Sequence, residues 1–472
     1  METRELDRFM RHAAADLLRG TGLETGAELP VAFEGKEPAL DSPHHLTAAT
    51  AAAHAAHASA VEQLWRIRGG DPQQASIDLT QALASLYPSR YQRQWGHAIP
   101  MMAGVELKHD FYETADGRWF YPIGSYPAFR NGVLELLGCP NTADAIAKAI
   151  RQWCGEELEE EFARRKLVGT YVRSAQEWAM HPQGKALAAT PVIAVERMAD
   201  APRPKQAGTP ARPLEGLRVL DASHVIAGPI VARTLAEQGA DVLRVGAPHH
   251  SDPLLQVIDT GIGKRSAFVD LRSEAGREKM KELASTADVF VDSWRQGSLA
   301  RLGFGADDLA RLRPGTVHVT VSAYGASGPW AARGGYEQVG QVVSGICHAE
   351  GLGGRPRLVP THFLNDYLTG YLGAAGVASA LVQRALHGGT YRVHVSLART
   401  SMWVHSLGER ERPSRFMHPF DLQPRLESRD SPFGLLEQLP PVAQFSRTRS
   451  CWDNPPVPLG ASAPAWKERA SA

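Results

Sequence analysis

The chain has 472 residues, enough for two or three domains around a large buried core. Apolar residues make up 43% and charged residues 22%, and 51 Lys plus Arg balance 51 Asp plus Glu. A formal net charge of zero argues against a broad nucleic-acid footprint or a polybasic membrane surface, so an anionic ligand needs a local cluster of cations. Cys139, Cys154, Cys347 and Cys451 show no C-x-x-C pairing and no metal spacing, and they read as isolated thiols in a reducing compartment. The first twenty residues are charged and amphipathic rather than basic and then apolar, and the most apolar stretch, 372–382, is too short to span a bilayer. A cytoplasmic, soluble protein is expected.

Residues 1–42 carry little pattern. From 43 to 86 an Ala-rich helical stretch is broken at Gly69-Gly70 and followed by a second helical or extended segment. Residues 104–190 alternate short strand-like runs with amphipathic helices, for instance 143–153 and 156–166. The stretch 199–213 holds Pro202, Pro204, Pro210 and Pro213 among Lys, Arg and Gly, a composition that buries no core and marks a linker. Beyond it the texture becomes regular. Strand-like runs at 218–220, 241–245, 267–271, 289–292 and 317–322 are separated by helical patterns such as 227–237, 273–284 and 306–312. That alternation predicts an α/β fold, a doubly wound parallel sheet, joined to a second, smaller α+β part.

The chain also repeats itself. Ser59-Ala60-Val61-Glu62-Gln63-Leu64 before Gly69-Gly70 parallels Ser379-Ala380-Leu381-Val382-Gln383-Arg384 before Gly388-Gly389. A strand-like run follows each, at 75–79 and at 393–397, so a helix-turn-strand unit is represented twice.

Gly228-Pro229 lies between a strand and a helix, where free backbone N–H groups favour a phosphate or carboxylate, although a plain β-α turn has the same residues. No G-x-G-x-x-G follows the strand, which counts against a dinucleotide. Residues 261–266 superficially resemble a P-loop but lack its upstream glycine and the Ser/Thr directly after Lys. Lys264, Arg265, Arg295 and Arg301 follow or join strand runs, so their side chains are expected at the carboxyl edge of the sheet, suited to phosphates or else simply solvated. His54 and His57 share a helix face near His44 and His45, but no carboxylate or Cys completes a metal set. No G-x-S-x-G elbow exists, against an α/β-hydrolase.

Asp366 is the most informative acid. It stands in His362-Phe363-Leu364-Asn365-Asp366-Tyr367-Leu368-Thr369-Gly370 and opens a helix that is otherwise small and apolar through Ala380. It is either an N-cap or a carboxylate in a partly dry pocket, where it is competent to attack a thioester.

Together these segments resemble the family III CoA-transferases, the superfamily of formyl-CoA transferase, carnitine CoA-transferase and α-methylacyl-CoA racemase. The resemblance runs from 213–221 through His224-Val225-Ile226-Ala227-Gly228-Pro229, Gly239-Ala240-Asp241-Val242, Gly263-Lys264-Arg265-Ser266, Trp294-Arg295-Gln296-Gly297 and Gly325-Ala326-Ser327-Gly328-Pro329 to about 406. It implies that Asp366, with Gly370 four positions on, is the catalytic nucleophile, and that no cofactor is held permanently. Coenzyme A would enter as acyl-CoA substrate and touch Ile226, Ala227, Gly263, Lys264, Ser293, Trp294, Arg295, Arg301, Gly334, Gly335, Tyr336 and Glu337. Racemase members carry a His-Asp pair where this chain has Tyr336-Glu337, which favours transfer. The partners implied are an acyl-CoA, an organic acid acceptor and a second copy in a homodimer, with neither nucleic acid nor membrane. Backbone N–H groups near the Asp366 helix would stabilise the oxyanions.

The order of segments departs from the family. Residues 43–198 resemble its distal half, with Asp116 to Phe120, Glu156-Glu157-Leu158 and Glu177 to Pro182 carrying the likeness. The linker 199–213, a CoA-binding α/β segment at 214–410 and a tail at 411–472 follow, so the arrangement is permuted or a truncated tandem. Thr47 stands in the first repeat where Asp366 stands in the second, so that copy is expected to lack a nucleophile. Gly246-Ala247 replaces an acidic and a basic residue common in the family, and the glycine-rich closing loop of formyl-CoA transferase has no clear counterpart. An acyl-CoA racemase or isomerase, with Asp366 and Glu337 as bases, and a non-catalytic CoA-binding subunit remain alternatives.

Overall fold

In the computed structural model, which describes residues 3–23, 28–100, 107–205, 208–250 and 252–468, the apolar runs beyond the linker form one seven-stranded sheet. Its strands are β1 (Ala194–Ala199), β2 (Arg218–Asp221), β3 (Asp241–Gly246), β4 (Lys264–Phe268), β5 (Val289–Asp292), β6 (Val317–Ser322) and β7 (Thr390–Ser396). The order is β4-β3-β2-β5-β6-β7-β1, parallel throughout except for β1, which pairs antiparallel with β7. The chain thus winds outward from β2 to β4, returns to β5 beside β2, and continues to the other edge. That reversal between β2 and β5 leaves a crevice at the carboxyl ends of the strands, where open α/β sheets bind ligands.

Six of the helices build the core and flank the crevice: α1 (Thr3–Gly20), α2 (Leu46–Ile67), α3 (Pro127–Leu137), α4 (Ala227–Ala236), α5 (Glu337–Val343) and α6 (Asn365–His387). α2 and α6 are the two repeated helices, and both are buried along nearly their whole length. Small residues make this possible. A Cβ on Gly370 would lie 2.5 Å from the Ile230 side chain of α4, and one on Gly373 2.7 Å from Val231, so glycine lets α6 lie directly against α4. On the other side of α6 the Tyr371 ring stands 4.2 Å from the His54 ring of the Ala-rich α2.

The smaller α+β part is the antiparallel sheet of Tyr112–Glu113, Trp119–Ile123 and Val168–Tyr171. Phe120, Val133, Ile146, Ile150, Leu158 and Phe162 close a core of its own between that sheet and α3 and two following helices. The larger core is continuous across both repeats and the main sheet.

Three expectations are corrected. Residues 1–42 are not without pattern: α1 buries Leu6, Met10, Ala13, Ala14, Leu17 and Leu18, a helical spacing laid against the rest of the core. β4 begins at Lys264 rather than 267, because a buried ion pair places a lysine where the pattern suggested a loop. The main sheet also gains β1 from just before the linker. Residues 1–2 and 24–27 of the first segment, 101–106 of the second, 206–207 of the linker, 251 of the CoA-binding segment and 469–472 of the tail lie outside the described residues. Among the described residues no helix is long and apolar enough to cross a membrane, and no three His, Cys, Asp or Glu side chains gather as a metal set. His54 and His57 are instead buried inside α2, and burial pulls the imidazoles down to about 3 and about 4.

Candidate active site

The crevice between β2 and β5 is built from two loops. After β2 the chain passes Ser223, His224 and Val225 before α4 starts at Ala227. After β5 come Ser293 and Trp294. The two are stitched together: His224 N–H donates to Ser293 Oγ at 3.1 Å, and Trp294 Nε1 donates to the Ala222 carbonyl at 2.7 Å. The His224 ring lies 4.0 Å from the Trp294 ring, and burial pulls its imidazole down to about 4. Gly228 is required here, since a Cβ would fall 2.5 Å from Ser223 and 2.8 Å from Ser293.

Val225 has φ 66°, a left-handed conformation that a β-branched residue adopts only under constraint, at about 1–3 kcal/mol. His362, just before α6, is the other strained residue beside the site, with φ 65°. Backbone strain therefore flanks the start of both helices.

Asp366 is the second residue of α6 and 5% exposed. It is not an N-cap; that position belongs to Leu364, which has no capping side chain. The helix is capped from elsewhere. Glu337, at the start of α5 and 1% exposed, accepts the N–H groups of Leu364 and Asn365 at 3.0 Å and of Asp366 at 2.6 Å, together with Gln341 Nε2 at 2.7 Å. Two carboxyl groups thus meet in a dry site with unequal support. Glu337 holds the helix N-terminus, which favours its charged form, whereas no hydrogen bond to the Asp366 carboxyl is found among the described residues. Burial first, and then the charge of Glu337, push the Asp366 carboxyl well above the usual carboxylate range. Burial raises the Glu337 carboxyl too, but its backbone and Gln341 donors oppose that, so of the two acids Asp366 is the one whose neutral form is favoured more.

Around this pair the two halves of the chain meet. Tyr126 and Phe129, at the start of α3, each place a ring 6.0 Å from the Tyr336 ring. Tyr126 Oη donates to Asp252 at 3.0 Å, and Asp252 also pairs with Arg244. The Arg295 guanidinium stands 5.7 Å from the Phe129 ring and against Gly334, where a Cβ would come within 2.6 Å of it. Burial, then the Asp252 and Asp366 carboxylates, push the Tyr336 hydroxyl up while Arg295 opposes them. Asp366 is thus electrically in reach of Tyr336 and Tyr126.

Of the residues singled out in the sequence, Ile226, Ala227, Ser293, Trp294, Arg295, Gly334, Gly335, Tyr336, Glu337 and Asp366 gather on the carboxyl side of the sheet. Arg301 lies on an exposed turn after β5 and packs near Gly297. Gly263, just before β4, lies at the amino edge and does not join them. Lys264 is the first residue of β4, but its Nζ reaches to the carboxyl end of β2, where it donates to Asp221 and to the Pro229 carbonyl of α4, each at 2.7 Å. Fully buried, with its ammonium pulled down to about 8 by burial, it ties β2 and α4 together rather than facing a phosphate. Arg265 is likewise at the amino edge, paired with Asp241 at 2.9 Å. The N–H groups expected to serve oxyanions at the start of α6 are already spent on Glu337. Tyr126, Phe129 and Asp252 were not singled out in the sequence, because only tertiary packing brings α3 and the β3–β4 connection to this place.

Residues 214–408 match the model of CoA-transferase family III. The chain is 33% identical to an acetyl-coenzyme A transferase of Hypoxylon pulicicidum over 356 residues, 69% of this chain and 58% of that protein. It is 32% identical to an acyl-CoA transferase of Gibberella moniliformis, over 62% of this chain and 55% of the relative. To a formyl-CoA:oxalate CoA-transferase of Streptomyces coelicolor it is 34% identical, over 40% of this chain and 48% of the relative. The chain spans about half the length of these curated relatives.

Proposed function

Residues 214–408 make the chain a member of CoA-transferase family III, and on that basis we propose that it transfers coenzyme A from an acyl-CoA to an organic acid through a covalent bond to Asp366. The observation that carries this reading is the unequal carboxyl pair at the start of α6. One acid accepts three backbone N–H groups, and the other is dry and, among the described residues, unpartnered beside the ligand crevice.

The steps balance without a cofactor. Once the Asp366 carboxyl has given its proton to solvent, its carboxylate attacks the thioester carbonyl, forming a mixed anhydride and releasing CoA thiolate. The thiolate then attacks the aspartyl carbonyl, giving an aspartyl-CoA thioester and the donor's free carboxylate. An acceptor carboxylate attacks that thioester and again expels the thiolate, which adds to the acceptor's acyl carbon and frees Asp366. The crevice between β2 and β5 would hold the CoA, with Arg295 as the cation on its rim and Trp294 as a stacking surface. Burial serves the first step, because a desolvated carboxylate of raised pKa is a stronger nucleophile than one in water. Acyl-CoA and an organic acid are thus the small-molecule partners of this reading, and a homodimer in the cytoplasm is its expected setting.

A panel of short acyl-CoAs incubated with a panel of organic acids, with products resolved by chromatography, tests the proposal. New acyl-CoA from wild type and none from Asp366→Ala is the expected result. Undiminished transfer by the variant contradicts it.

A further inference from the structure

At the amino edge of the main sheet, the C-terminal ends of α2 and α6 open onto a cleft of about 900 Å³. Arg68, the C-cap of α2, Arg384, in the last turn of α6, and Arg313, before β6, line it together with Asp288. Arg384 is 6% exposed and divides one nitrogen between Asp288 at 3.3 Å and the Gly315 carbonyl at 2.9 Å, while its Nε has no hydrogen-bond partner. Arg313 stands 3.7 Å from the same Asp288, and its Nε is also buried without a partner. Among the described residues Arg68 donates to the carbonyls of Pro213 and Glu215, at 2.6 and 2.9 Å. Burial and then the charge of Arg384 pull the Arg68 guanidinium down, and burial with Arg313 does the same to Arg384.

Three guanidinium groups therefore gather around Asp288, with Glu215 as a further carboxylate beside Arg68. Helix C-termini attract cations, and this accounts for Arg68 and Arg384. Arg313 likewise caps the C-terminus of the helix 306–312, so helix ends explain the presence of all three cations but not the two buried Nε–H groups left unspent, each a cost that a bound acceptor removes. Guanidinium forks are suited to oxyanions. The cleft is separate from the crevice: Asp366 and Arg384 lie 18 residues apart on α6, about 27 Å along its axis.

We propose that this cleft binds a compact oxyanion of two or more negative charges, a phosphate or a dicarboxylate. Calorimetric titration with inorganic phosphate and with succinate, against chloride at equal ionic strength, tests it. Saturable binding of either anion is expected, and the one that binds tells a phosphate from a dicarboxylate ligand. Arg313→Gln should weaken that binding about tenfold or more, as loss of a charge-assisted bond implies. Arg384→Lys, which keeps the charge beside Asp288 but loses the fork, should weaken it too, and Arg295→Gln at the crevice should leave it intact. No binding beyond chloride overturns the proposal. So does wild-type affinity in Arg313→Gln, or loss of binding in Arg295→Gln, which would place the anion at the carboxyl edge instead.

Discussion

The two repeated helices begin alike and end up in different chemistry. α2 opens at Leu46 and α6 at Asn365, so Thr47 and Asp366 are each the second residue of their helix. Each start is close to a buried glutamate. At α6 it is Glu337, whose oxygens take three backbone N–H groups and leave Asp366 unpartnered. At α2 it is Glu350, which takes the Ser42 hydroxyl at 2.5 Å and His44 Nδ1 at 2.8 Å, with no acid in the first turn of the helix. One start is a dry acid held ready by a cap, and the other is a closed hydrogen-bonded cluster. The repeat thus preserves a packing unit, the close α2–α6 contact, while nucleophile chemistry needs both an acid and a second group that relieves it of capping.

Breaking the acid is expected to have the largest effect. Asp366→Ala should lower CoA transfer at least about a thousandfold, the scale of removing a covalent nucleophile, as measured by steady-state kinetics. Glu337→Gln strikes the support rather than the nucleophile. It should lower stability by about 2 kcal/mol in urea unfolding, because charge-assisted bonds to three N–H groups become neutral ones, and transfer should fall as well. Thr47→Asp makes the copies alike in sequence only. An unsupported buried acid should cost roughly 1–3 kcal/mol and add no second modified residue by peptide mapping. His44→Gln in the closed cluster should cost about 1 kcal/mol in the same unfolding assay and leave the transfer rate unchanged.

A pH series probes the same contrast. The folded pKa of Asp366 is raised above its unfolded value of about 4, so its contribution to stability is fully present below that pH and is lost as pH rises toward the folded value. Asp366→Asn should therefore gain in melting temperature over wild type as pH rises from about 4, and a constant difference would contradict the raised pKa. Because attack needs the carboxylate, kcat/KM should also climb with pH through this ionisation.

Much of the fold was legible in the sequence. The strand at 317–322 and the helix at 306–312 lie where the alternation of apolar residues puts them, because the local spacing of buried positions marks an element even when its partners, such as β7 beside the strand, are distant in sequence. Asp366 was legible because an acid opening a small, apolar helix is anomalous. Lys264 misled because its charge is neutralised in the core by Asp221, a pairing across 43 residues that no local pattern announces. The cap on α6 was hidden for the same reason, since Glu337 lies 29 residues before the Asp366 N–H it accepts. Tyr126 and Phe129 come from the far side of the linker, and only folding brings them to Tyr336.

Covalent catalysis by Asp366 is decided by the intact mass of the protein after incubation with short acyl-CoAs and a hydroxylamine quench, in wild type and in Asp366→Ala. An acyl or CoA adduct, or an aspartyl hydroxamate, that maps to Asp366 and is absent from the variant is the expected result. Turnover with no adduct at Asp366, or an adduct that persists in the variant, would contradict it.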